Sequence, residues 1–222
     1  PSDHSIQNEL IFKSDMEFAL ASAGEENLIT FGIIPTFPAT GFGYISVKEE
    51  ESRLKTVLEL TEKPDEIKAK SLIESGNYYW NSGIFVWSVN AVINGFKEYV
   101  PKLFDLFNEG FSKLNTPDEK KFISEKYPLA ENISIDYALL EKSNLIHLVP
   151  ASFDWDDLGS WKSIYDLNTK DAANNVVINS KVYLNQSTNN LIKSNPNKKI
   201  VISGLSDFII VDSEDVLMIC PI

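Results

Sequence analysis

Four short segments carry the residues able to do chemistry. Phe153-Asp154-Trp155-Asp156-Asp157-Leu158-Gly159-Ser160-Trp161 sets three acids within four residues, just ahead of a glycine. Such a cluster suits a divalent cation such as Mg2+, which is commonly held by one or two carboxylates plus substrate phosphates. It suits equally an acidic surface loop that leads into a capped helix. The spaced ligands and closing glutamate of an EF-hand are missing. Asp3, in Pro1-Ser2-Asp3-His4, is open to the same two readings, a helix cap or a ligand to metal or substrate. Glu62-Lys63-Pro64 and Trp80-Asn81-Ser82-Gly83 together supply a carboxylate, an ammonium and an amide. That set matches a polyhydroxylated, phosphorylated ligand, with Glu62 and Asn81 for hydroxyls and Lys63 for phosphate. A surface Glu-Lys and a turn is the plain alternative. In Thr40-Gly41-Phe42-Gly43-Tyr44 two glycines flank an aromatic residue, which permits a positive φ or lets a ligand approach backbone N–H groups.

The elements around these segments read as alternating strands and helices. Phe12, Met16, Ala19, Leu20 and Ala23 recur at helical spacing, and Gly24 stands at the C-terminal cap position. Leu28–Ile33, Tyr44–Val47 and residues 54–60 read as strands, and Tyr78–Trp87 as a central one. Pro35 to Gly43, with its prolines and glycines, is a shaped loop. Pro64-Asp65 opens a helix that Gly76 ends. Beyond Ser88 the pattern is helical to about Tyr127, with Val89, Val92, Ile93 and Phe96 on one face and a restart at Pro101. Ser134 is placed to cap a helix through Glu141, residues 145–149 read as a strand, and Ser160 caps a helix to about Asn168. From Asp171 onward five short β runs are separated by Asn, Ser, Asp and Gly, with no close internal repeat. Two regions are expected, 1–170 and a small all-β tail over 171–222. Where a ligand binds in such α/β sheets, it does so at the carboxyl ends of strands.

Composition narrows the function. The 222 residues carry 20 Lys+Arg against 32 Asp+Glu, a formal charge of −12, with 43% hydrophobic and 23% charged residues. That is ordinary globular usage with enough apolar content for a core. The acidic balance and scattered basic residues speak against DNA or RNA, whose phosphates need clustered Lys and Arg. No apolar run approaches a membrane span, and no Gly-Lys-Ser or Gly-Lys-Thr forms a P-loop. One cysteine, Cys220, excludes an internal disulfide framework and points to a reducing, cytoplasmic setting.

Taken in order, the segments resemble the mannose-1-phosphate guanylyltransferases of the sugar-nucleotidyltransferase superfamily. Pro1-Ser-Asp-His, Phe31-Gly-Ile-Ile-Pro-Thr, Thr40-Gly-Phe-Gly-Tyr-Ile, Glu62-Lys-Pro, Trp80-Asn-Ser-Gly-Ile-Phe, Ser134-Ile-Asp-Tyr-Ala and Trp155-Asp-Asp-Leu-Gly-Ser-Trp161 are similar to that family's successive motifs. The resemblance implies an α/β, Rossmann-like (GT-A-like) mixed sheet flanked by helices, with a β-helix-like tail. It implies Mg2+ held by Asp3 and Asp157, sugar contacts from Glu62 and Asn81, and Lys63 near the sugar phosphate. Gly41 and Gly43 would line the sugar. The implied reaction joins GTP and mannose 1-phosphate into GDP-mannose and pyrophosphate, in a homodimer formed through the tail. A non-catalytic sugar-nucleotide-binding relative is the other reading. The family's Gly-rich nucleotide loop is not in this sequence, so little transferase activity is expected of these residues alone.

Overall fold

Cap chemistry sets the limits of most helices in the computed structural model, which describes residues 3–24 and 27–222. Pro1 and Ser2 of the first motif lie outside the described residues. Helix α1 (Glu9–Ser22) is capped by Asn8, whose side chain accepts from Ile11 N, and it ends at Ala23 rather than at Gly24. Helix α2 (Glu66–Ser75) starts where Asp65 accepts from Lys68 N at 2.8 Å and stops at Gly76, whose φ of 79° only glycine adopts freely. Ser88 caps α3 (Val89–Tyr99), Pro101 opens α4 (Pro101–Asn108), and Ser160 caps α6 (Trp161–Leu167), with α5 (Glu119–Lys126) between the last two.

The described residues form two compact units. The first, Ile6–Trp155, is built on β1 (Leu28–Ile33), β2 (Tyr44–Val47), β3 (Lys55–Thr61), β4 (Tyr78–Trp87) and β5 (Ile146–Pro150). They hydrogen-bond in the order β1-β4-β2-β3-β5 and close on themselves, because β5 pairs parallel to β1 and antiparallel to β3. The sheet is thus mixed, as expected.

Ile29, Phe31, Val86, Val149 and Phe153 make a core on which Phe12, Met16 and Ala19 of α1 pack, with Ala23 just past its end. Leu20 departs from that expectation and stays 59% exposed. The inward face of α1 is centred on Ala19 and on Asp15, a buried carboxylate. Asp15 is paired with the sequence's single arginine, Arg53, and accepts from Ser152 N at 2.6 Å.

The apolar face read on α3 also lies differently. Val89 is 74% exposed, and the helix docks by its small residues Ala91 and Gly95. A Cβ at Gly95 would lie 3.4 Å from Leu139 Cδ2; of the expected face Phe96 packs against the cluster that holds Leu139, whereas Val89 and Ile93 stay exposed. Leu139 belongs to residues Asp136–Leu140, which form a π-helical turn inside the span expected to be helical.

The second unit joins residues 3–5 to Asp156–Ile222. It holds α6 and six strands: β6 (Val176–Ile178), β7 (Lys181–Asn185), β8 (Leu191–Lys193), β9 (Lys199–Ser203), β10 (Phe208–Asp212) and β11 (Leu217–Pro221). β6, β8 and β10 stack in parallel, as do β7 and β9, while β11 turns back antiparallel on β10. β8 is the strand the sequence pattern misses, although Leu191 and Ile192 are fully buried.

The tail does repeat. Asn175 Oδ1 accepts from Asn190 N, fifteen residues on, and Asn190 Oδ1 accepts from Phe208 N, eighteen residues further. Unequal coil lengths and a shared polar rung, rather than a shared apolar motif, hid it. Among the described residues no helix is long and apolar enough to cross a membrane.

Candidate functional site

In the first unit a β-bulge puts Asn81 in place. Gly32 pairs with Asn81 and Thr30 with Phe85, so four residues of β4 span two of β1. Gly83 takes up the distortion with a φ of 67°, the way a bulge re-aims a side chain beside a site. Asn81 Oδ1 then accepts from Thr30 Oγ1 at 3.1 Å and from Gly83 N at 3.2 Å. Its Nδ2 donates to Asp136 Oδ1 at 2.9 Å.

Glu62 stands at the end region of β3, and Gly43 immediately precedes β2. The Asn81 N–H donates to the Gly43 carbonyl at 2.7 Å. A Cβ on Gly43 would meet Glu62 Oε2 at 2.5 Å and Asn81 Cβ at 3.4 Å. Gly43, Glu62 and Asn81 therefore converge, with Asp136 as a fourth member. The Glu62 side chain is 10% exposed and that of Lys63 63%, with Lys63 Nζ 3.5 Å from Glu62 Oε1. Burial pushes the Glu62 carboxyl above its ordinary value; the charge of Asp136 adds to this, and Lys63 opposes it. Lys63 itself has a left-handed φ of 45°. Gly41 differs from Gly43: it is exposed, with nothing near its would-be Cβ.

In the second unit an isolated antiparallel bridge between Ser5 and Asp156, with N–O distances of 2.8 and 3.1 Å, ties the segment of Asp3 to that of Asp157. Asp157 Oδ1 accepts from Gly159 N at 3.0 Å, and Asp156 Oδ1 from Leu158 N at 2.7 Å. A Cβ on Gly159 would lie 2.5 Å from Asp157 Oδ2, so glycine there is what lets the carboxylate fold back. Among the described residues no three His, Cys, Asp or Glu side chains are gathered as a ready metal cage. The carboxylates of Asp3 and Asp157 suit a hard cation that completes its shell with phosphate oxygens and water. The third acid of this loop, Asp154, does something else: in the first unit it accepts from Gln7 N and Asn8 N, fixing the chain at the start of α1.

Two participants lie beyond the reach of the sequence reading. Asp136 stands inside the Ser134-Ile-Asp-Tyr-Ala motif, which by itself assigns it no role. Thr30 is a fully buried hydroxyl in an otherwise apolar strand, which is the signal that could have marked it.

Residues 1–174 match the Nucleotidyl transferase family, and the chain belongs to it. Within that class it is 34% identical over 221 residues to a mannose-1-phosphate guanylyltransferase of Sinorhizobium fredii, covering 99% of this chain and 43% of that one. It is also 31% identical to the alginate biosynthesis protein AlgA of Pseudomonas aeruginosa, covering 99% of this chain and 46% of that one. A crystal structure from Thermus thermophilus, described as a mannose-1-phosphate geranyltransferase, superposes with a TM-score of 0.87. It is 23% identical and covers 100% of this chain and 64% of the other, and at that identity the likeness bears on the fold alone. The chain spans less than half the length of these curated relatives.

Proposed function

We propose that this chain serves a nucleotidyl transfer that makes GDP-mannose and pyrophosphate from GTP and mannose 1-phosphate, and that its first unit holds the sugar phosphate. The convergence of Gly43, Glu62 and Asn81 carries this reading, because it offers a carboxylate acceptor and an amide donor beside a backbone kept free of a side chain. Glu62 would accept from sugar hydroxyls, Asn81 would donate to one, Gly41 would let the ring approach the backbone, and Gly43 makes room for the Glu62 carboxylate that lines the sugar. The Lys63 ammonium, exposed beside Glu62, would hold the phosphate that becomes the nucleophile.

A phosphate oxygen of the sugar attacks the α-phosphorus of GTP in line. The new P–O bond forms as the α–β bridge breaks and pyrophosphate leaves, so no protein nucleophile takes part. Positioning and charge stabilisation supply the rate. Asp3 and Asp157 would hold Mg2+, which when bound neutralises phosphate charge. Cytoplasmic location and dimerisation through the β tail belong to the same reading.

Calorimetric titration with mannose 1-phosphate, and separately with GTP, each with Mg2+, tests it. Saturable binding of mannose 1-phosphate, weakened by Glu62→Gln and by Lys63→Ala, is expected. Absence of that binding, or loss of GTP binding alone in both variants, refutes the sugar-site assignment.

A further inference from the structure

Asp136, which touches Asn81, has no part in the roles above. It opens the π-helical turn Asp136–Leu140, whose Ala138, Leu139 and Leu140 are buried. Val100, Ala138 and Leu139 form one apolar cluster, with Phe96 and Leu103 packed against it. A π turn is rare and tends to stand at functional sites; here the buried half of the turn anchors the residue that reaches Asn81.

The hydrogen bonds around Asn81 decide which way its amide faces. Oδ1 accepts from Thr30 Oγ1 and Gly83 N, and one Nδ2 hydrogen goes to Asp136 Oδ1. Turned by 180°, the amide would set Nδ2 against the Gly83 N–H, two donors, and Oδ1 against a carboxylate, two acceptors. With the observed direction, both Asn81 acceptor directions are engaged and a single N–H remains for a ligand. Asp136 also lies close enough to Glu62 that its charge works, behind burial, against ionisation of that carboxyl.

We propose that Asp136 is a positioning residue of the sugar site: together with the Gly83 N–H it fixes the Asn81 amide so that the site offers a single donor there, beside the acceptor Glu62. The ligand must then present a hydroxyl oxygen that accepts at Asn81 and a neighbouring hydroxyl that donates at Glu62, the order found on adjacent hydroxyls of a pyranose. This rests on the sugar-site reading above.

The test has a ligand-free arm and a binding arm. In ligand-free protein, the Asn81 side-chain NH2 protons are followed by 1H–15N spectroscopy. The carboxylate-bonded proton is displaced downfield and exchanges slowly in the parent and in Asp136→Asn, which keeps an acceptor; Asp136→Ala abolishes both features. Asp136→Ser, too short to reach, serves where the alanine variant does not fold. In calorimetry, Asp136→Ala raises the Kd for mannose 1-phosphate about tenfold, as loss of a charge-assisted bond predicts. Asp136→Asn stays within about threefold of the parent, the Kd for GTP is unchanged, and Asp136→Ala adds nothing on top of Asn81→Ala. Unchanged Asn81 protons in Asp136→Ala, or additive losses in the double variant, overturn the proposal. A parent with a locked amide and no affinity for mannose 1-phosphate refutes the sugar-site reading and leaves the positioning role standing.

Discussion

Replacing Gly43 by alanine separates the site from the scaffold. The added methyl would lie 2.5 Å from Glu62 Oε2 and 3.4 Å from Asn81 Cβ. Gly43 does not hold a left-handed φ, so alanine suits its backbone. The unfolded-state entropy it removes favours folding by about 0.4–1 kcal/mol. The methyl collides with the far end of a flexible side chain, which can yield. Returning to ordinary contact requires the carboxylate to retreat by roughly 1 Å. Folding should therefore remain within about 1 kcal/mol of the parent. Function should not, because a 1 Å misplacement at a positioned group can cost on the order of 10²-fold. Thermal unfolding and calorimetry with mannose 1-phosphate read the two effects independently. Adding Glu62→Asp to Gly43→Ala withdraws the carboxylate by roughly one C–C bond, about 1.5 Å, and should recover part of the affinity. An unchanged Kd in Gly43→Ala would refute the reasoning. So would a fall in affinity accompanied by a comparable loss of stability, since that would make Gly43 a packing residue.

Glu62→Gln should change how stability depends on pH. Burial, then Asp136, raises the Glu62 carboxyl, so its protonated form is favoured in the folded state. Its contribution is present below the unfolded value and lost as pH rises through the raised one. The parent should thus lose stability relative to Glu62→Gln as pH climbs from the ordinary carboxylate range towards neutrality; parallel melting curves across that window would contradict the assignment. Arg53→Ala strips the buried Asp15 of its charged partner and leaves Ser152 N. Chemical unfolding should show a loss of about 3 kcal/mol, as for one half of a buried pair, and a loss below about 1 kcal/mol would mean that solvent reaches Asp15. Asp157→Asn should weaken Mg2+-dependent GTP binding far more than Asp156→Asn, because the proposed cation site uses Asp157 and not its neighbour. Equal effects in a titration of Mg2+ against GTP would remove Asp157 from the metal.

The sequence displays elements best where local chemistry decides them. Asp65 and Gly76 bound α2 because one supplies an acceptor for orphan amides and the other a left-handed backbone. Tyr78–Trp87 is legible as a strand from its aromatic and β-branched residues. What escapes is decided by tertiary contact. Leu20 fits the helical period of α1, yet a buried carboxylate, Asp15, takes the inward face because Arg53 arrives from elsewhere in the chain to neutralise it. The α3 face misleads for a related reason: close approach to Leu139 at Gly95, and to Leu28, Leu140 and Ile146 at Ala91, favours small residues over the larger Val89. Of the candidate site, Glu62, Asn81 and Gly43 can be named from residue type and order, whereas Thr30 and Asp136 cannot. Their part depends on a bulge and a π turn, and neither leaves a periodic trace.

The two candidate loops, one in each unit, share a local device that bears on how each carboxylate is held. In each, a carboxylate is followed by a residue other than glycine in left-handed backbone: Lys63, φ 45°, after Glu62, and Leu158, φ 53°, after Asp157. Such a conformation costs about 1–2 kcal/mol for a side-chain-bearing residue, and it persists where the surroundings over-determine it. At Leu158 the surroundings are two amide-to-carboxylate bonds, Leu158 N to Asp156 and Gly159 N to Asp157, closed over a glycine that admits no Cβ. At Lys63 they are the buried Pro64 that follows and the Glu62 carboxylate packed over Gly43. At Asp157 the direction of the carboxylate is therefore set by a backbone amide, whereas the longer Glu62 side chain is held by burial and by its contact over Gly43. A carboxylate aimed in advance has little orientational freedom left to lose when a hydroxyl or a cation arrives, which is the advantage of preorganisation. Gln186, φ 48°, holds the same kind of backbone in the β tail, so it is the glycine contacts at Gly43 and Gly159, rather than the φ values, that set these two carboxylates apart.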